Sequence, residues 1–208
     1  METAFPIACL VSGNGTNLQA IIDRIESGAL AARVAVVISN VPSVPALERA
    51  RRHGLPSLVV DHKEYGDRAA FDQELIKIID SSRAKLVCLC GFMRVLTPSF
   101  TGHYPGRIIN IHPALLPKFG GKGFYGRHVH QAVLAAGEKV SGCTVHVVDA
   151  QVDHGPIILQ RTVPVLPDDT PDSLAARVLA QEHIAYPEAI RLFAEGRVTI
   201  EGHRAIIT

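Results

Sequence analysis

The stretch PIACLVSGNGTNLQAIIDRIE, Pro6 to Glu26, decides the fold. Pro6–Val11 is a short apolar run bounded by turn residues, the mark of a buried strand. Asn17–Glu26 carries Leu18, Ile21, Ile22 and Ile25 at i, i+3, i+4 and i+7, which is one apolar face of a helix. Between them lies SGNGTN, Ser12–Asn17, whose glycines permit a tight turn. Strand, glycine turn and helix in that order begin an alternation that the rest of the chain continues.

Val34–Ser39 reads as a second strand and Val44–His53 as a helix with Gly54 just past its end. Leu58–Val60 is a short strand, and Asp67–Ser81 a helix with Phe71, Leu75, Ile78 and Ile79 on one side. Leu86–Cys90 and Ile108–Ile111 are further strands, and Gly126–Ala136 a helix. Ser141–Val148 and Ile157–Val163 read as a strand pair. Thr170-Pro171 opens the last long helix, with Thr as cap and Pro at the first helical position. Pro187 is expected to bend or break that helix. Val198–Ile207 reads as a hairpin turning at Gly202-His203. No repeats or low-complexity tracts are present. The alternation predicts an α/β fold: a mostly parallel sheet with helices on both faces. Ligands of such sheets sit beyond the carboxyl ends of the strands, near a topological switch point.

The bulk numbers agree with a globular chain and exclude some partners. The chain has 208 residues, 47% hydrophobic and 20% charged, which suggests one domain. A formal net charge of +1 supplies no strong field for nucleic acid or an anionic membrane. Cys9, Cys88, Cys90 and Cys143 form no CxxC pair, and buried free thiols in a reducing compartment are the expected reading. The apolar run Phe5–Val11 is too short to span a bilayer, and no basic segment precedes it. A cytoplasmic enzyme or binding protein is expected.

The segments just past the strands carry the chemistry. SGNGTN opens a helix, where backbone N–H groups and the helix N-terminus attract an anion. It lacks the lysine of a P-loop. It also lacks the third glycine of a dinucleotide fingerprint, since Leu18 stands there, and Ser39-Asn40 replaces the acid expected after the second strand. A phosphate monoester fits; a plain tight turn with an Asn or Thr cap fits as well. After the fourth strand comes GFMRVL, Gly91–Leu96. The next strand ends RIINIHPALLPKF, Arg107–Phe119, where Asn110 and His112 share a face because side chains two apart on a strand do. Pro113 favours extended geometry at His112. In VDAQVDHGPIILQ, Val148–Gln160, either Asp149 or Asp153 is a candidate partner that would raise the pKa of His112 and favour imidazolium.

A neutral donor beside a tunable acid suits oxyanion stabilisation and proton relay in acyl-type transfer. No GxSxG motif and no Cys–His arrangement offers a nucleophile, so direct attack of one substrate on another is expected. The histidines His128, His130, His146 and His154 raise the question of metal, but HxH alone is weak and no HExxH or Cys/His spacing accompanies it. No metal is expected.

Four pieces in order, GNGTN, GFMRVL, NIHPALLP and VHVVDAQVDHGPIILQ, resemble the folate-dependent formyltransferases. Within that family the glycine loop points to the glycinamide ribonucleotide formyltransferases of purine synthesis. The resemblance runs from about Ile7 to Val198 and implies a Rossmann-like formyltransferase fold. It implies 10-formyltetrahydrofolate as co-substrate, glycinamide ribonucleotide as acceptor, and a monomer or homodimer. It makes Gly15, Thr16 and Asn17 the cradle of the substrate phosphate. Arg68, Met93, Arg94, Val95 and Leu96 would line the folate site, with backbone groups of the last four reading the pterin edge. Asn110 would hold the formyl oxygen, beside the folate. His112 would be the catalytic acid, with Asp153 raising its pKa and assisting proton transfer, and Glu182 would contact the substrate ribose. The implied organisation is a single domain, 1–208, with a phosphate-binding half of about 1–105 and a catalytic and folate half of about 106–208.

KFGGKGFYGRH, Lys118–His128, is longer and richer in glycine than the family pattern. Lys122 or Arg127 in it could add a phosphate contact. Three rival readings fit less well. A formyltetrahydrofolate hydrolase has no use for a phosphate loop and carries an N-terminal regulatory domain for which Met1–Phe5 leaves no room. A methionyl-tRNA formyltransferase needs a further C-terminal domain. A noncatalytic nucleotide-binding module would not need a paired amide, imidazole and carboxylate.

Overall fold

The computed structural model describes residues 4–208. One sheet contains β1 (Phe5–Val11), β2 (Ala32–Ser39), β3 (Ser57–Val59), β4 (Leu86–Leu89), β5 (Ile108–His112), β6 (Val140–Val147) and β7 (Ile157–Pro164). Their order is β3-β2-β1-β4-β5-β6-β7. Pairing is parallel from β3 through β5, then antiparallel at β5–β6 and β6–β7. The helices are α1 (Thr16–Glu26), α2 (Pro45–Arg52), α3 (Arg68–Ser82), α4 (Pro98–His103), α5 (Arg127–Ala135) and α6 (Pro171–Ala194). β8 (Val198–Glu201) and β9 (Arg204–Ile207) form the expected hairpin. The strand order reverses between β1 and β4, so a switch point opens there.

Both faces of the central parallel strands β1 and β4 are buried, which explains their uninterrupted apolar runs. Ile7, Cys9 and Val11 of β1 join the core beneath α1 and α6, with Leu18, Ile21, Tyr186 and Ile190. Ala8 and Leu10 point the other way, toward Phe71, Leu75 and Ile79 of α3 and Phe100 of α4. Each fully buried Leu or Ile contributes about 1.5–3 kcal/mol relative to exposure. All four cysteines are buried and free.

Three expectations need correction. In α3 it is Ile76 that is buried, and Ile78 is only half-buried, because the core-facing stripe is displaced by part of a turn. α4 forms where no helix is expected; Thr97 caps it by accepting the Phe100 N–H, and Pro98 starts it. α6 neither breaks nor stops at Pro187 but runs on to Ala194, completing 24 residues. Proline in a helix interior costs about 3 kcal/mol. Here Ala185, Tyr186, Ala189 and Ile190 are buried on either side of it, and the Tyr186 hydroxyl lies 3.0 Å from the carbonyls of both Leu89 and Ile109. Tertiary packing outweighs the lost local bond.

Candidate active site

β5 ends beside the switch point, two strands from β1, a span of about 10 Å at 4.7–4.9 Å per strand. Its odd residues Ile109 and Ile111 enter the α6-side core. Asn110 and His112 therefore project from the opposite face, as the spacing predicts. Antiparallel pairing sets His146 opposite Asn110 and Thr144 opposite His112. Directly opposed residues share a face, so the four converge. Asn110 Nδ2 lies 3.3 Å from His146 Nε2, while His146 Nδ1 lies 3.0 Å from the Val147 carbonyl. That carbonyl can only accept, so Nδ1 carries a proton, and Nε2 faces both the Asn110 amide and the Asp153 carboxylate. Thr144 pins the turn after His112: its hydroxyl donates to the Ala114 carbonyl at 2.7 Å and accepts the Leu116 N–H at 3.0 Å.

Asp153 closes the cluster. Its Oδ2 lies 3.5 Å from His112 Nδ1 and its Oδ1 3.5 Å from His146 Nε2. Asp153 adopts φ +57°, a conformation unusual for a residue with a side chain, in order to aim inward from the loop. Asp149, the other candidate, instead accepts the Gln151 N–H at 2.8 Å. Burial pushes the Asp153 carboxyl up. Even so, the His146 ring, the His112 charge and the Gly121 N–H, 3.0 Å from Oδ2, hold it below the usual carboxylate value.

His112 is 3% exposed, and Asp153 pulls its pKa upward, as expected of a carboxylate partner, against its burial. Burial lowers its pKa, and the opposing pull of Asp153 and of the Phe119 carbonyl does not restore it. Its Nε2 lies 2.7 Å from the Phe119 carbonyl, so Nε2 carries the proton and Nδ1 faces Asp153. The first residues of the glycine-rich loop thus lie directly on the cluster: Phe119 on His112, Gly121 on Asp153.

Around the glycine loop, Gly15 stands at the N-cap of α1 with φ +68°, no side chain caps the helix, and its first turn holds no acid. The Asn or Thr cap of the plain-turn alternative is absent, and Gly15 itself stands at the cap position. A Cβ at Gly15 would lie 2.6 Å from the Ala46 Cβ, so the residue is also fixed by close approach to α2. Thr16 follows at the helix start and lines a concavity of about 340 Å³ with Gln19, Asp23, Arg49 and His183. That concavity adjoins the loop but not Asn110 or His112. Asn17 turns inward: its Nδ2 donates to Glu182 Oε2 at 2.8 Å, joining two predicted site residues from distant parts of the chain. Burial raises the Glu182 carboxyl pKa, and the Asn17 bond only partly offsets it.

Of the predicted folate residues, Met93 and Val95 are exposed, while Leu96 is buried. The Met93 N–H already donates to Ser12 Oγ at 2.8 Å, and that hydroxyl donates to Asn40 Oδ1 at 2.5 Å, tying together the loops after β4, β1 and β2. The Arg94 guanidinium lies 5.2 Å from the Phe71 ring centre instead of reaching outward. Arg68, the first residue of α3, is exposed. Lys122 is exposed, and Arg127 donates to both carboxylate oxygens of Asp172, at 2.9 and 3.3 Å. The HxH pair divides: His128 is exposed against the Tyr125 ring, and His130 is buried. Sequence reasoning treats His146 only as one of several histidines. Its place in the site comes from the β5–β6 register, which pairing the two runs by their alternation could have found.

Comparison with known proteins adds to this geometry. A family model described as formyl transferase matches residues 6–190. The phosphoribosylglycinamide formyltransferase of Escherichia coli is 43% identical over 199 residues, 96% of this chain and 92% of that protein. The trifunctional purine biosynthetic protein adenosine-3 of Drosophila melanogaster is 48% identical over 196 residues, 93% of this chain. The matched part spans only 14% of that longer protein. The crystal structure of glycinamide ribonucleotide transformylase 1 from Symbiobacterium toebii matches with a TM-score of 0.94 at 49% identity, covering 100% of this chain and 95% of that one.

Proposed function

The chain belongs to the formyl transferase family, and from that premise we propose that it moves the formyl group of 10-formyltetrahydrofolate to the amine of glycinamide ribonucleotide, a step of purine synthesis. The observation that carries the reading is the convergence of Asn110, His112, His146 and Asp153 two strands from an uncapped, acid-free helix N-terminus. One end suits a tetrahedral oxyanion and the other a phosphate monoester.

The substrate phosphate takes the backbone N–H groups of Gly15, Thr16 and Asn17. Glu182, held by Asn17, faces the ribose. The folate lies along Arg68 and Met93–Leu96, its formyl oxygen against the Asn110 amide. The glycinamide amine attacks the formyl carbon, and negative charge grows on the former carbonyl oxygen. Asn110 donates to that oxygen through Nδ2. His112 gives up its bond to the Phe119 carbonyl and donates from Nε2. Attack leaves the amine with a surplus proton; the Asp153 carboxylate, aided by His112 Nδ1, moves it toward the departing folate nitrogen. The tetrahedral carbon then expels that nitrogen, giving formylated ribonucleotide and tetrahydrofolate. His112 suits this sequence, since its ring can donate at Nε2 and exchange a proton at Nδ1 in turn. Holding both substrates in one cleft supplies much of the rate. We place this work in one domain of the cell interior, phosphate held by about residues 1–105 and catalysis by about 106–208.

An absorbance assay of formyl-folate consumption, with and without glycinamide ribonucleotide, tests the reading. Consumption only with the acceptor is expected. Consumption without it identifies a hydrolase, and none in either case refutes formyl transfer.

A further inference from the structure

The loop that presents Asp153 carries a second constellation on its outer side. Asp149 and His154 belong to this loop, and His203 sits in the turn between β8 and β9. One ligand atom from each lies within 4.8 Å of the other two. The Gln151 N–H fixes Asp149 Oδ1 at 2.8 Å, which turns Oδ2 toward His154 Nδ1 at 3.4 Å. The rings of His154 and His203 stand edge to face, 5.2 Å apart at 84°. Among the described residues no hydrogen bond engages the His203 ring. Both histidines are exposed.

Two imidazoles and one carboxylate, with solvent on the open side, are a donor set for a borderline divalent ion. At bond lengths of about 2.0–2.1 Å, neighbouring ligands of a tetrahedral ion lie about 3.3–3.4 Å apart. The Asp149–His154 separation already has that value, and only the His203 imidazole needs to move inward, on an exposed turn. We propose that Asp149, His154 and His203 form a surface site for Zn²⁺ or a similar divalent transition ion, completed by water. The ion clamps the β8–β9 hairpin to the loop that carries Asp153. The ligands come from two segments some fifty residues apart without a familiar spacing, so no linear motif betrays them.

Isothermal titration of the full chain with zinc chloride tests the site without reference to activity. One equivalent bound in the micromolar range is expected, with at least about tenfold weaker binding in His203→Ala. The metal-free far-ultraviolet spectrum and Tm of that variant verify its fold. His203→Cys with Co²⁺ provides a second readout: a thiolate-to-cobalt charge-transfer band that the parent chain lacks. No uptake by the parent chain overturns the proposal. So does equal uptake by His203→Ala, or the absence of the band in folded His203→Cys.

Discussion

Asn110 and His146 face each other across the β5–β6 ladder, with Nδ2 of one 3.3 Å from Nε2 of the other. The amide proposed to meet the formyl oxygen is thereby aimed before any substrate arrives. His146→Ala is expected to leave the Asn110 amide without its buried partner and to remove one of the groups facing the Asp153 carboxylate, lowering stability by about 1–3 kcal/mol. Turnover should fall in a folded sample while the KM for folate changes little. Denaturant unfolding and steady-state kinetics on the same preparation check both parts; normal turnover would show that the orientation of Asn110 does not depend on His146.

The direct participants should behave differently from the supporting residue. Asn110→Ala and Asp153→Asn are each expected to lower kcat by about 10²–10⁴. The dissociation constant of a folate analogue should stay within a few-fold of the parent value. Weakened binding with an intact rate on saturation would reverse the roles proposed for them.

His112 offers a pH test. Burial lowers its pKa from the ordinary 6.5, and Asp153 acts in the opposite direction. The folded chain therefore binds this proton less readily than the unfolded chain. Stability rises with pH through the window below about 6.5 and is lost as pH falls into it. Asp153, whose folded pKa is also depressed, adds to the loss at lower pH. An NMR titration of the imidazole should place His112 below its free value, and Asp153→Asn should move it lower still. An upward movement in the variant would contradict the arrangement.

Gly15 carries two constraints at once. Gly15→Ala is expected to cost about 1–2 kcal/mol from the left-handed backbone alone. The collision with Ala46 adds to that. The KM for the phosphorylated substrate should rise more than that for folate. Equal changes in the two would remove the case for phosphate at this loop.

Arg127 is engaged by Asp172 in a two-bond pair through Nε and one terminal nitrogen. Arg127→Ala is therefore expected to leave the KM for the phosphorylated substrate unchanged. Lys122 is exposed, and Lys122→Ala decides whether that side chain takes any part in phosphate binding.

The sheet and most helices are legible because their signals are local. Leu18, Ile21 and Ile22 repeat at helical spacing, and Thr170-Pro171 marks a helix start. The same Thr-Pro signal at Thr97-Pro98 is easily missed, since six residues are too few to show a period. The persistence of α6 through Pro187 depends on Tyr186 and Ala189 packing against distant strands, and local sequence holds no record of that. In the site, Asn110, His112 and Asp153 are accessible from the ends of the strands and the loops beyond them. His146 and the Asn17–Glu182 contact require pairing across 36 and 165 residues. At His112 a neighbouring charge can be guessed from sequence, whereas the depth of burial that opposes it cannot.

The β5–β6 register also governs which parts of this chain can change length. Strand side chains alternate, so adding or deleting one residue within β6 would replace His146 by Val145 or Val147 opposite Asn110. The donor would then face an isopropyl group, and Thr144 would lose its hold on the turn after His112. Residues 122–126 carry no such burden: the loop meets the cluster at Phe119 and Gly121, before that segment begins. Length variation among homologous chains should therefore collect in 122–126 and be absent from β6, making a strand's frame, and not only its composition, a heritable constraint on the chemistry.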